Sequence, residues 1–127
     1  MLKNLLVVAL GGGAGSIARY LLSVYIQGKT FGVFPWGTLV VNLIGCLAIG
    51  ILYALADKGS IMSAEVRLLL TVGLCGGFTT FSTFAGENLA MLRNGEFLHV
   101  ALYSGISVFL GIFLVFIGYA TVINLIR

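Results

Sequence analysis

Four apolar stretches, each long enough to cross a hydrocarbon core, take up almost the whole chain. They lie near residues 4–26, 36–56, 65–92 and 97–126, and a core about 30 Å thick needs roughly 20 apolar helical residues to span it. The connectors over residues 27–35, 57–64 and 93–96 are short and polar or glycine-bearing. Backbone N–H and C=O groups find no water inside lipid, so such stretches are obliged to fold as helices that satisfy their own backbone. The expected fold is therefore an all-α membrane protein, one transmembrane domain over residues 1–127 with four transmembrane helices. Only 9% of the residues are charged, against about 25% in a soluble domain, and no room is left for a soluble domain between the spans. The first span follows Lys3, but it is too long for the apolar core of a secretory signal and lacks a clear small-residue cleavage site, so it reads as a retained helix.

The third stretch is the least suited to lipid. Gly76-Gly77-Phe78-Thr79-Thr80-Phe81-Ser82-Thr83-Phe84 combines helix-breaking glycines with four hydroxyls and three phenylalanines. An interrupted helix frees backbone groups that hydrocarbon cannot satisfy, so at membrane depth it must be buried in protein or line a polar path. The third helix is expected to be broken mid-membrane, and the chain reads as a transport protein rather than an enzyme. The hydroxyls of Thr79, Thr80, Ser82 and Thr83 can bond back to carbonyls one turn earlier, yet four in five positions exceed what that habit needs. Polar stripes at helical spacing run along the other spans too: Gly12, Ser16 and Arg19; Thr38, Asn42 and Gly45; Thr80, Thr83 and Glu87; Tyr103 and Ser107. Most of the 18 glycines read as helix-packing positions. Asn42 reads equally as an interhelical hydrogen-bond former or as a pathway group, and the phenylalanine stripe as packing or as ring edges facing a solute.

Arg19 and Glu87 are the costly residues, because a charge at mid-bilayer costs a few kcal/mol. Arg19 either snorkels to an interface or caps a helix or holds a loop, while Glu87, nearer the end of its span, suits a vestibule. The deepest polar groups are neutral. A cation path usually shows acidic side chains or carbonyl rings, whereas a small anion needs donors that hold it weakly at several sites. Asn42, Tyr103, Ser107 and the threonines can donate, so the residues point to a small anion or polar solute. The net charge of +3 from seven Lys and Arg against four Asp and Glu is too scattered for a nucleic-acid surface. Lys3, Lys58, Arg67 and Arg127 fall on the side of the termini and Lys29 and Arg93 on the other. So weak a bias is compatible with insertion in both orientations, and hence with an antiparallel homodimer. Cys46 and Cys75 read as small buried hydrophobes and His99 as an interfacial residue without metal-ligand partners.

The Gly-rich first helix ending in Arg19-Tyr20, the Gly37-Thr38-Leu39-Val40-Val41-Asn42-Leu43-Ile44-Gly45 run, the third-helix run from Gly73 to Phe84, and Tyr103 with Ser107 together resemble the CrcB/Fluc fluoride channels. The resemblance covers essentially the whole chain. It implies a dual-topology antiparallel homodimer in the bacterial inner membrane, with two fluoride pores relieving fluoride toxicity. It also implies a structural sodium ion at the dimer centre, held by the carbonyls of Gly76 and Thr79. Residue by residue, it makes Phe81 and Phe84 pore phenylalanines, Asn42 a pore-lining donor, and Tyr103 and Ser107 pore contributors. Thr38, Thr83 and Glu87 fall on a polar track further along, and Arg19 matches the first-helix arginine. Two rival classes stand beside it. A small dual-topology multidrug or cation exporter would need a deep carboxylate, which the first two spans lack, and a non-transporting assembly protein would not need a hydroxyl-rich broken helix.

Overall fold

A computed structural model describes residues 1–59 and 61–127. It opens with two long helices, α1 (Leu2–Gly28) and α2 (Trp36–Asp57). The chain then forms α3 (Ala64–Leu68), a π-helical segment (Leu69–Cys75), α4 (Gly76–Phe78) and α5 (Phe81–Arg93), and a third long helix follows, α6 (Phe97–Leu125). The three long helices and the stretch Ala64–Arg93 are each long and apolar enough to cross a membrane. Few side chains are buried inside a fold of this kind, since its lipid-facing surface takes the place of a core.

Local signals fix the ends of the elements. The Ser63 Oγ accepts from the Val66 N–H at 3.2 Å, capping α3, and Glu65 sits in that first turn, where the helix dipole favours an acid. Lys3 Nζ meets Glu65 Oε1 at 3.2 Å and ties the start of α1 to the start of α3. After α5 the chain turns at Gly95, whose φ of +75° lies in the left-handed region that suits glycine.

Helix packing is set by glycine. α1 lies along the π segment and α4, with Gly11 facing Gly73 and Gly12 facing Gly77 across the contact. α2 lies along α6, where Gly50 faces the Val115 carbonyl and Gly118 faces Leu47 and Ile51. Without side chains in the way, backbones approach closely enough for dispersion to hold helices together in lipid. A Cβ at Gly73 would stand 2.9 Å from the Gly11 Cα. Because the obstruction is backbone, Gly73→Ala is expected to cost about 1–3 kcal/mol. That cost would be read as a lowered thermal midpoint in detergent, with Gly28→Ala, which meets nothing within 4 Å, unchanged as control.

α5 differs from the rest in packing chiefly against α6. Its Ser82, Thr83 and Gly86 are exposed. The small core sits where α2, α5, α6 and the connector after α1 meet: Phe34, Leu39, Met91 and Tyr103 are buried there, with Leu43, Phe84 and Val100 packed around them.

Candidate functional site

The site is organised by two residues. Thr79 (φ −87°, ψ 155°) and Thr80 (φ −151°, ψ 125°) are extended between α4 and α5. Thr79 turns back on the helix it leaves, its N–H and its hydroxyl both donating to the Cys75 carbonyl at 3.0 Å. Thr80 is held from across the bundle. Its N–H donates to Asn42 Oδ1 at 2.9 Å, and Asn42 Nδ2 donates to the Thr80 carbonyl at 3.2 Å. One carboxamide thus satisfies both backbone groups of an extended residue, as a neighbouring strand would. Thr80 then starts α5 as its N-cap, its Oγ accepting from the Thr83 N–H at 3.3 Å. Its hydroxyl also donates to Thr83 Oγ at 3.2 Å.

Arg19 lies on α1, half-buried, and its Nε donates to the Gly77 carbonyl at 3.1 Å. Of the two readings open for this arginine, the hydrogen bond corresponds to the one in which it holds the chain at a helix end. The four carbonyls from Gly76 to Thr79 lose their helical donors, Gly77 regaining one from Arg19. In a continuous helix the Thr80 N–H would reach Gly76 and the Thr83 N–H would reach Thr79, but here these N–H groups go to Asn42 and to the Thr80 hydroxyl.

Beside these residues runs an open groove of about 400 Å³. α2 contributes Asn42, Gly45 and Cys46; the third stretch contributes Cys75, Gly76, Thr79, Phe81 and Phe84; α6 contributes Ser107 and Val108. Asn42, Gly76, Thr79, Phe81, Phe84 and Ser107, singled out from the sequence, therefore share one wall. Phe81, 79% exposed, and Phe84 stand 5.6 Å apart between ring centroids, and the Tyr103 ring follows 4.9 Å beyond Phe84. Tyr103 is fully buried one turn before Ser107. Buried Thr38 lies beside both Glu87 and Tyr103 without hydrogen-bond geometry to the tyrosine oxygen. Thr83 is exposed on α5, and it, Arg19, Thr38, Glu87 and Tyr103 all lie outside the groove lining.

Three buried polar atoms in this region have no hydrogen-bond partner: Tyr103 Oη, Ser107 Oγ and Glu87 Oε1. An unmade bond of this kind costs about 1–3 kcal/mol.

Some contributors escaped the sequence reading. Asn88 Nδ2 donates to the Phe84 carbonyl at 3.1 Å while its Oδ1 accepts from Ser104 at 3.4 Å, joining α5 to α6. The signal was present in an amide one turn after Phe84 and adjoining Glu87. The two cysteines, read as buried hydrophobes, both line the groove, Cys46 half-buried and Cys75 buried.

The family model described as CrcB-like protein, Camphor Resistance (CrcB), matches residues 6–119. A protein of Phocaeicola vulgatus is 50% identical over 119 residues, covering 92% of this chain and 96% of the relative. One from a strain of Thermus thermophilus is 48% identical over 118 residues, 93% and 94% of the two chains. One from Flavobacterium psychrophilum is 40% identical over 117 residues, 92% and 94%. Each of the three bears the name fluoride-specific ion channel FluC.

Proposed function

The chain belongs to the CrcB family, and from that premise we propose that its groove forms one wall of a fluoride pore. The protein is a multi-pass membrane protein and a fluoride channel, not an enzyme. The observation that carries the pore reading is a groove lined by neutral polar side chains, Asn42, Thr79 and Ser107 among them, from which a row of aromatic rings leads to the buried, unpartnered Tyr103 Oη. Tyr103 and Ser107 have hydroxyl protons to offer an anion. Asn42 spends one amide proton on the Thr80 carbonyl and keeps the second. The edges of Phe81 and Phe84 carry the positive side of the ring quadrupole and can meet an anion without gripping it. Weak contacts in series allow the ion to enter and also to leave. Thr38, Thr83 and Glu87 extend the track beyond the rings.

Thr79 and Thr80 are read as an interruption of the third transmembrane helix at membrane depth, and the working unit as an antiparallel dimer inserted in both orientations. Support comes from α5, whose exposed Ser82, Thr83 and Gly86 are a poor match for lipid, and from the weak asymmetry of basic residues between the two ends. The Gly76 and Thr79 carbonyls, with their usual donors engaged elsewhere, are hard oxygen ligands of the type that suits sodium. Two carbonyls do not enclose an ion, so this role requires the same pair from a second copy. Sodium there would neutralise the carbonyl dipoles and hold the two copies together.

Fluoride that enters a cell as neutral HF dissociates in a less acidic interior and is trapped. A passive pore then suffices for export, since an inside-negative potential drives an anion outward by about 2.3 kcal/mol per 100 mV. The test is efflux from liposomes loaded with potassium fluoride or potassium chloride, with valinomycin to carry the counter-ion. Rapid fluoride release with chloride at background is expected, and fluoride release that occurs only with coupled proton movement would sink the channel reading. The same liposomes prepared without sodium test the cation separately. Flux should fall, and sodium on either side should restore it without any gradient, whereas undiminished flux would remove sodium from the dimer and leave the pore intact.

A further inference from the structure

We infer that Gln27 is a positioning residue for conduction: through Phe34, it fixes the ring of Tyr103 and so aims the tyrosine hydroxyl. The inference rests on the reading of Tyr103 as a pore donor. Gln27 stands in the last turn of α1, half-buried, outside the groove. Its side chain brackets the entry to α2. Nε2 donates to the Phe34 carbonyl at 3.2 Å, and Oε1 accepts from the Gly37 N–H at 3.1 Å. The Phe34 carbonyl also accepts from the Trp36 N–H at 2.9 Å, so a tight turn around Pro35 is clasped from both ends by one amide.

The effect of the clasp is to seat Phe34. This residue belongs to an irregular connector that includes Gly32 at φ +93°, yet its side chain is only 9% exposed. It lies 5.6 Å from the Tyr103 ring at 70°, an edge-on contact, while Phe84 lies 4.9 Å away on a tilt of 57°. The Trp36 ring, 4.6 Å from Phe34, and the His99 ring, 6.1 Å from it, hold Phe34 from behind. The aromatic row that begins at Phe81 in the groove therefore continues through Phe84 and Tyr103 to Phe34, and its last ring hangs on Gln27.

A phenol hydroxyl lies in the plane of its ring, so the ring's orientation sets where the proton can point. Among the described residues Tyr103 Oη has no hydrogen-bond partner to aim it. The two flanking rings do so instead, and only one of them, Phe84, is anchored in a helix. Without the Gln27 clasp the Phe34 carbonyl keeps only the Trp36 N–H, its ring can shift against Trp36 and His99, and one of the two aromatic contacts on Tyr103 loosens. A donor meant for a small ion tolerates little displacement, because misplacement by an ångström already has large effects on pre-organised sites.

The experiment compares fluoride efflux of the reconstituted full chain and its variants Gln27→Met, Phe34→Leu and Tyr103→Phe, singly and with the first two combined with the third. Gln27→Met keeps the length of the side chain and removes both hydrogen bonds. Gln27→Met and Phe34→Leu are each expected to lower flux about tenfold, as for the loss of about one decade's worth of positioning. In the Tyr103→Phe background, where no hydroxyl remains to be aimed, each should lower it by less than about twofold, since coupled residues do not add. Parent-level flux in Gln27→Met overturns the inference. So does the same loss in both backgrounds, which would make Gln27 a general structural residue. A Tyr103→Phe variant that conducts like the parent defeats the pore reading of Tyr103 itself, and the inference with it, whatever Gln27 does. Should Gln27→Met not assemble, Phe34→Leu in the two backgrounds carries the same comparison.

Discussion

Asn42→Ala is expected to lose fluoride conduction and about 2–6 kcal/mol of stability together, the stability figure following from two backbone groups left unpaired at about 1–3 kcal/mol each. The amide accepts from the Thr80 N–H and donates to the Thr80 carbonyl. Alanine offers neither, so both backbone groups lose their partners. The extended residue would then either stay bare or rewind into helix, and rewinding would carry Phe81 and Phe84 away from the groove. Asn42→Asp separates the two consequences. Its carboxylate still accepts from the Thr80 N–H but cannot donate to the carbonyl, and it sets a negative charge beside the anion's path. It should retain more stability than alanine and conduct no better. Thermal midpoints in detergent and efflux from liposomes give the two readouts. An alanine variant as stable as the parent would mean that Thr80 finds other partners, and full flux in the protein that survives would take Asn42 off the path.

Isoleucine in place of Phe84 is expected to reduce fluoride flux about 100-fold, equivalent to ~2.7 kcal/mol at 1.36 kcal/mol per decade. Phe84 is the middle of the row, with Phe81 at 5.6 Å on one side and Tyr103 at 4.9 Å on the other. Isoleucine fills a similar volume but has no ring edge for an anion and no ring face for Tyr103. Phe81→Ile should produce a similar loss for the first reason alone, since Phe81 is 79% exposed within its own chain and contributes little to its packing. Both variants should still elute from a sizing column as the parent does. Parent-level flux in both would assign the rings to packing.

How far the sequence could be read depended on what kind of interaction was involved. The four apolar helices were legible because the bilayer's thickness and its lack of water constrain hydropathy and length directly, and the helices at Leu2–Gly28, Trp36–Asp57 and Phe97–Leu125 follow that constraint. That Asn42, Phe81, Phe84 and Ser107 each lie on a polar or aromatic stripe was legible as helical periodicity, whereas their meeting on one groove was implied only by the family resemblance. Contacts to backbone were not legible. Arg19 bonds a carbonyl of Gly77 and Gln27 a carbonyl of Phe34, and every residue has a carbonyl, so no side-chain pattern announces which one is taken. From sequence, Gln27 is for this reason merely the first residue of a connector. The change of hydrogen-bond register over Leu69–Cys75 was equally silent, because a π turn and an α turn draw on the same apolar residues.

That π segment bears on how the chain can change over time. The Gly76 N–H reaches back to the Thr71 carbonyl, five residues earlier, as well as to Gly73. A π turn of this sort amounts to an α-helix accommodating a surplus residue. Losing one residue from 69–75 would let the turn relax to an ordinary α-helix while the elements on either side keep their phase, because the wide turn is what absorbs the surplus residue. Gly77 would keep its place against Gly12 and Thr80 its reach to Asn42, whereas the same deletion from a regular α-helical turn would rotate everything after it by about 100° about the helix axis. This stretch should therefore tolerate a change in length that its neighbours do not: a single-codon deletion there narrows the turn and leaves the geometry beyond it in place.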